Sequence, residues 1–192
     1  MIDSLKETIE SRVKIFKNLL LERDHIVDAI KLMEASLQDG NKILIFGNGG
    51  SAMQSSHFAA ELVNKFYSDR PALPAIALTC DVASITSIAN DKDFQYIFSR
   101  QLGALGKKGD IAIGITTSGK SANIIEAFKR AREKDLKTVV LCGSHVLPFQ
   151  NSTVDIIISI NSNDTPIIQE MHLFILHLLA DALEKNILKK KQ

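Results

Sequence analysis

Cysteine is nearly missing from this chain. Cys80 and Cys142 are the only two, with no CxxC spacing, so neither a disulfide framework nor a cysteine-held zinc is expected. An excess of either charge is missing as well: Lys plus Arg number 23 against 22 for Asp plus Glu. That balance does little to narrow the partners, and the clustered lysines at Lys189–Lys191 read as a solvated tail rather than a nucleic-acid arm. The first residues, Met1 to Glu7, lack a basic region followed by an apolar run, and no stretch approaches about 18 uninterrupted apolar residues. A soluble cytoplasmic protein in a reducing compartment, making no membrane or nucleic-acid contact, is expected. Repeats, linkers and low-complexity segments are also absent. The 192 residues therefore read as one domain, 1–192, long enough to bury a core.

What is present begins with helical periodicity. Ile2, Leu5, Ile9, Val13, Phe16, Leu19 and Leu20, then Ile26, Ile30, Met33 and Leu37, predict two amphipathic helices within residues 1–38, stopped by Asp39-Gly40. Their apolar stripes need the sheet or another subunit as cover, and an oligomer interface is expected there. From residue 39 onward an α/β core is expected. Short apolar runs at Lys42–Phe46, Ala75–Thr79, Asp110–Ile115, Thr138–Cys142 and Val154–Ile160 alternate with helical patterns near Ala52–Phe66, Asp81–Ala89, Phe94–Ala104, Asn123–Lys134 and Thr165–Ile187. Five such runs buried on both faces predict a parallel sheet in a layered α/β domain, with ligands beyond the carboxyl ends of the strands.

Two of those strand ends are rich in glycine and hydroxyls. Gly47-Asn48-Gly49-Gly50-Ser51 permits a tight turn into a helix whose first N–H groups would face an anion. Thr116-Thr117-Ser118-Gly119-Lys120-Ser121 offers four hydroxyls at a helix start, suited to a phosphate monoester, although Ser and Thr at that place also serve as ordinary helix caps. Residues 114–121 literally fit GxxxxGK[ST]. Gly114, however, sits inside the apolar run, the next strand ends without a magnesium-holding aspartate, and the first glycine loop would have no job, so a nucleotide triphosphatase is set aside. The first loop likewise lacks GxGxxG spacing for a dinucleotide.

Groups able to do chemistry follow. His57 and Glu61 stand four apart on one helix face, roughly 6 Å along the axis, as an acid/base or metal pair. Asn90-Asp91 could accept bonds from sugar hydroxyls but also reads as a turn. The last helix opens at Asp164-Thr165-Pro166 and carries Gln169, Glu170, His172 and His177 among apolar residues, where histidines are usually packed core groups. Combined with His57 and Glu61, Gln169 and His177 make a donor set that suits zinc, yet the last two lie about 12 Å apart along a helix and would have to lean toward one metal.

These motifs carry a resemblance. GNGGSAMQSSHFAAEL, RPALPAIAL, SIAND, FSRQLGALGKKGDIAIGITTSGKSANIIEAFKRARE and IQEMHLFILHLL occur in order over nearly the whole chain. The sequence is thereby similar to the phosphoheptose isomerases, enzymes of the sugar-isomerase (SIS) domain family. The resemblance implies a three-layer SIS fold with a central five-stranded parallel sheet, and a cytoplasmic homotetramer converting sedoheptulose 7-phosphate to glycero-manno-heptose 7-phosphate. That reaction opens the route to nucleotide-activated heptose for bacterial surface polysaccharide such as lipopolysaccharide. It further implies Glu61 as general base, His177 as general acid, and one Zn2+ per subunit on His57, Glu61, Gln169 and His177. Substrate contacts are implied at Asn48, Gly49, Gly50, Ser51, Glu61, Asn90, Asp91, Thr116, Thr117, Ser118, Ser121 and Gln169. A carboxylate and an imidazole suit proton transfer through an enediol, and a metal could polarise the carbonyl. Departures accompany the match: the family often has an aspartate within the stretch here reading Met53-Gln54-Ser55-Ser56, Gly-Arg where Asn64-Lys65 stand, an arginine at Ile167, and serine at Thr116. The alternative is a non-catalytic sister, resembling the protein that associates with a bacterial replication initiator. That sister is expected to lack the equivalents of Glu61 and His177.

Overall fold

Isoleucine and valine dominate the short apolar runs because β-branched side chains pack well on a pleated surface buried from both sides. A computed structural model describes residues 2–150 and 154–189, so the tail residues Lys190 and Lys191 lie outside the described residues. Helices α1 (Ile2–Asn18) and α2 (Arg23–Gln38) precede β1 (Ile43–Gly47) and α3 (Gly50–Val63). Then come β2 (Ala75–Ala77), α4 (Val82–Asp91), α5 (Ile97–Leu105), β3 (Ile111–Thr116), α6 (Ala122–Glu133), β4 (Lys137–Cys142), β5 (Ile156–Ser159) and α7 (Thr165–Lys189).

All five strands run parallel in the order β2-β1-β3-β4-β5. The chain leaves β1 toward one edge and resumes at β3 on its other side, so a topological switch point lies between β1 and β3. Gly47 is level with Ile115 in that pairing. The glycine loop and the hydroxyl loop therefore leave the sheet side by side, where a parallel sheet offers a ligand crevice.

Two cores flank the sheet. Ile43, Ile45, Ile113, Leu141 and Ile158 face α2, α3 and α7, whose Met33, Phe58, Leu62, Met171 and Leu179 are buried against them. Leu44, Phe46, Ala112 and Val140 face α5 and α6 through Phe98, Leu102, Ile124 and Phe128. Gly114 in β3 has a steric reason: a Cβ there would lie 2.6 Å from the Phe128 ring and 3.2 Å from Phe46. By length and composition α7 is apolar enough to cross a membrane, and half of that stretch is buried within this fold.

The three layers match the expected α/β architecture, with corrections at element ends. The first helical region is broken by a 3-10 turn at Leu19–Glu22, and β2 is only three residues long. Asn90 and Asp91, read as a turn after a helix ending at Ala89, form the last turn of α4 instead. Asp81 caps that helix by accepting from the Ser84 amide at 3.0 Å. Leu5, Ile9, Val13 and Phe16 of α1 stay at least 40% exposed. Phe16 meets Phe174 of α7 edge-on with ring centroids 5.0 Å apart.

Candidate active site

The turn from β1 into α3 needs glycine. Gly49 has φ +55°, and a Cβ on Gly47 would lie 2.8 Å from Ser51 Cβ. The Ser51 and Ala52 amides bond the carbonyls of Asn48 and Gly49, both at 3.0 Å, and no side chain caps the helix. Asn48, nominated as a substrate contact, exchanges two hydrogen bonds with the buried Asn123 at the start of α6, 2.9 and 2.8 Å. This reciprocal amide pair ties the glycine loop to the hydroxyl loop across the switch point. Asn123 escaped the sequence reading, although its place just after the loop serines was a signal.

In the hydroxyl loop Gly119 has φ +64°, and a Cβ there would collide with the His145 carbonyl oxygen. Thr116 Oγ1 accepts from the Gly119 amide at 3.2 Å, and Ser118 Oγ accepts from the Lys120 amide at 3.2 Å. Ser121 occupies the N-cap position of α6, yet its hydroxyl makes no capping bond. Four hydroxyls thus stand where one cap would suffice, and the capping residue itself leaves its oxygen for a ligand. Thr116 is buried, Thr117 and Ser121 half-buried, Ser118 exposed. Asn90 and Asp91 are exposed on α4, with Asn90 Nδ2 donating to Asp91 Oδ1 at 2.8 Å.

The acid/base candidates sit elsewhere on the same chain. Helices α3 and α7 descend side by side from the carboxyl edge of the sheet. Gly50 of α3 meets Gln169 of α7 so closely that a Cβ would overlap the Gln169 amide, and His57 meets His177 two turns on. The two Nε2 atoms face each other at 2.9 Å, and Glu61 Oε1 lies 3.6 Å from His57 Nε2. Glu61 is 22% exposed and His57 43%. Two imidazole nitrogens aimed at one point either share a proton or offer lone pairs to one cation, and two His with one Glu is a catalytic zinc set. Among the described residues, however, no group of three or more His, Cys, Asp or Glu is placed to hold a metal ion, so the case for zinc rests on donor chemistry and not on geometry. The structure brings three of the four nominated ligands together. Gln169 rests at Gly50, seven residues and about 10 Å of helix axis from the level of His57. Among the departures, Gln54 Nε2 donates to the Gln169 carbonyl at 2.7 Å, and Ile167 is buried where the family often carries charge.

Three further titratable groups lie along α7. His172 is fully buried, and neither ring nitrogen has a hydrogen-bond partner. Burial lowers its pKa from 6.5 to about 4, only partly opposed by the nearby Cys142 carbonyl. Glu170 is exposed and pairs with Arg12 of α1 at 2.8 Å, pinning α1 to α7. Glu184 is buried with Arg70 at 3.2 Å. Desolvation opposes its charge, but the Phe66, Ser68 and Tyr67 amides and Arg70 together hold its carboxyl below the ordinary range. Neither residue of that pair was nominated from sequence. Glu184 stands seven after His177 on the same helical stripe, which is the one cue that was available.

Comparison with known proteins gives a consistent set of relatives. The SIS domain family matches residues 9–143. A phosphoheptose isomerase of Thermodesulfovibrio yellowstonii is 42% identical over 186 residues, 95% of this chain and 90% of that one. The solved structure of a phosphoheptose isomerase from Francisella tularensis superposes with a TM-score of 0.90 at 36% identity, covering 96% of this chain and 98% of its own. That of phosphoheptose isomerase from Neisseria gonorrhoeae gives 0.87 at 34% identity, with 95% and 98% covered.

Proposed function

This chain belongs to the phosphoheptose isomerase family of SIS-domain proteins, and from that premise we propose that it converts D-sedoheptulose 7-phosphate to D-glycero-D-manno-heptose 7-phosphate by an enediol route. The observation that carries the reading is the convergence of Glu61, His57 and His177 between α3 and α7. Glu61 as base takes the C1 proton of the ketose while His177 as acid protonates the C2 oxygen, giving the enediol. Glu61 then returns the proton to C2 as the C1 hydroxyl gives its own to His177, leaving the aldehyde. Every proton removed is returned, so no redox cofactor is needed. When bound, zinc would polarise the carbonyl, held by His57, Glu61 and His177; Gln169, the fourth ligand that the family resemblance implies, would have to move from its place at Gly50 to join them. The binding-protein alternative is not favoured, because Glu61 and His177 are both present and their side chains meet at one cluster through His57.

The phosphate is gripped by Thr116, Thr117, Ser118 and Ser121, with Asn48, Gly49, Gly50 and Ser51 at the neighbouring loop and Asn90, Asp91 and Gln169 on the sugar. Grip remote from the reacting carbons supplies binding energy for orientation. Ser118→Ala removes one bond to a charged phosphate, so KM should rise about tenfold with kcat little changed. An unaltered KM would contradict this cup.

One chain alone separates the parts. Glu61 lies about 16 Å along α3 from Gly50 at the carboxyl edge, farther than an extended heptose phosphate reaches. A second copy bringing its loop to this helix pair completes the site, and the exposed α1 stripe with the apolar groove of Phe16, Leu20, Ile26, Val27, Phe174 and Leu178 supplies surface for assembly. Four copies and a cytoplasmic setting accord with an enzyme acting on a phosphorylated sugar. The deciding test is turnover of sedoheptulose 7-phosphate with product identification, before and after chelation and zinc restoration. Activity lost and regained with zinc is the expected result. Activity indifferent to the chelator leaves acid/base groups alone, and no activity with any metal sinks the isomerase reading.

A further inference from the structure

We propose that the buried Glu184–Arg70 pair is a positioning device for the reaction centre, holding Glu61 and the ring beside His177 in register without touching substrate. The inference rests on the isomerase reading of that centre. Glu184 Oε2 accepts from the Phe66 amide at 2.9 Å, and Oε1 accepts from the Tyr67 and Ser68 amides at 2.9 and 2.7 Å. One carboxylate on α7 thus gathers three successive amides of the loop that leaves α3. Arg70 donates to it through Nε at 3.2 Å and reaches α3 with its other nitrogens: Nη2 donates to the Glu61 carbonyl at 2.7 Å, and Nη1 to the Leu62 carbonyl at 2.8 Å and also to the loop carbonyl of Pro71 at 3.0 Å. The side chains are 0% and 3% exposed.

The last carbonyls of a helix have no intrahelical partner, and a guanidinium placed on them caps the helix and complements its dipole. Here the capped carbonyl belongs to the proposed base. At the other end of the same network, the Phe66 backbone held by Glu184 sets the Phe66 ring 5.6 Å from the His177 ring, and Tyr67 packs edge-on against Phe66 at 4.4 Å. Glu184 follows His177 by two turns of α7. A single ion pair therefore spans both helices and both reacting residues, fixing the backbone of one and the packing of the other. Arg suits the task because its planar fork serves several acceptors at once, which an ammonium cannot do.

Removing either charge outright leaves its partner buried and unpaired, which is strongly destabilising, so the test uses Arg70→Lys and Phe66→Leu. The lysine keeps the charge but cannot reach Glu184 and both carbonyls together. The leucine keeps every backbone bond to Glu184 and removes only the ring beside His177. Both are assayed as intact oligomers below their melting temperatures, with the unaltered protein in parallel. The expected result is a kcat lower by about tenfold or more in each, with KM for sedoheptulose 7-phosphate within about twofold. Unchanged kcat in folded Arg70→Lys overturns the proposal. Should that variant not fold, Phe66→Leu decides: lowered kcat supports positioning, and unchanged kcat overturns it. Absence of turnover in the unaltered protein is a separate outcome, which removes the isomerase reading and this proposal with it.

Discussion

Glu61→Gln lowers kcat by about a thousandfold, leaves KM within a few-fold and leaves the assembly state unchanged. The substitution is isosteric, so α3 keeps its shape, and the Arg70 bond to the Glu61 carbonyl is untouched because it uses the backbone. What disappears is the capacity to accept a carbon-bound proton, and general acid–base catalysis contributes about a hundredfold to ten-thousandfold. KM is spared because the proposed phosphate grip is on the hydroxyl loop between β3 and α6, in a different part of the chain. An amide oxygen can still ligate a cation, so the assay is run with zinc added, separating loss of the base from loss of metal. Product formation followed by NMR, with size-exclusion chromatography on the same sample, gives both readouts. Full activity in this variant would remove Glu61 as base.

The second large effect concerns stability, and its origin is His172. In the folded chain burial lowers this histidine's pKa from 6.5 to about 4. Between those values the unfolded chain takes up a proton that the folded chain refuses. The neutral ring's contribution is therefore full above pH 6.5 and is lost as pH falls toward 4. At about 1.36 kcal/mol per unit, the loss amounts to about 3 kcal/mol. That is a large share of the 5–15 kcal/mol typical of a domain. Denaturant titrations at pH 7, 6, 5 and 4 measure it. His172→Leu, comparable in size, removes the titrating ring and flattens the slope over that window. A variant as acid-sensitive as the parent assigns the slope to other groups.

His172 and His177 also show where sequence reasoning reaches and where it stops. Both lie on one apolar helix and both read as packed core residues until His57 and Glu61 are considered. Five residues apart, they project about 140° from each other around the helix. One enters the core and the other meets His57 between the helices, a distinction already legible in the spacing. The strands were legible too, because isoleucine-rich runs too short for a helix and separated by helical patterns admit few arrangements. Helix ends were less so: α4 continues through Asn90 and Asp91, residues that read as a turn by local preference, while its Asp81 cap and apolar face extend it. Strand order and the Asn48–Asn123 and Arg70–Glu184 pairs were not legible. Their partners lie 75 and 114 residues apart, and no local periodicity encodes such meetings. The family resemblance implies the roles proposed for Glu61 and His177, but only the folded chain reveals what holds these residues.

The missing side chain at Gly114 has a consequence for how this sheet can change over generations. The Phe128 ring fills the space a methyl group would need, with Phe46 and Phe149 packed against it and Phe98 against Phe46 in turn. Neither partner can be altered freely by itself: alanine on the strand collides with the ring, and a smaller residue on α6 leaves a hole over the glycine. Substitutions at 114 and 128 should therefore be inherited as a pair, a larger residue on β3 arriving with a smaller one on α6. A lineage that held one change without the other would carry the defect until the second arrived.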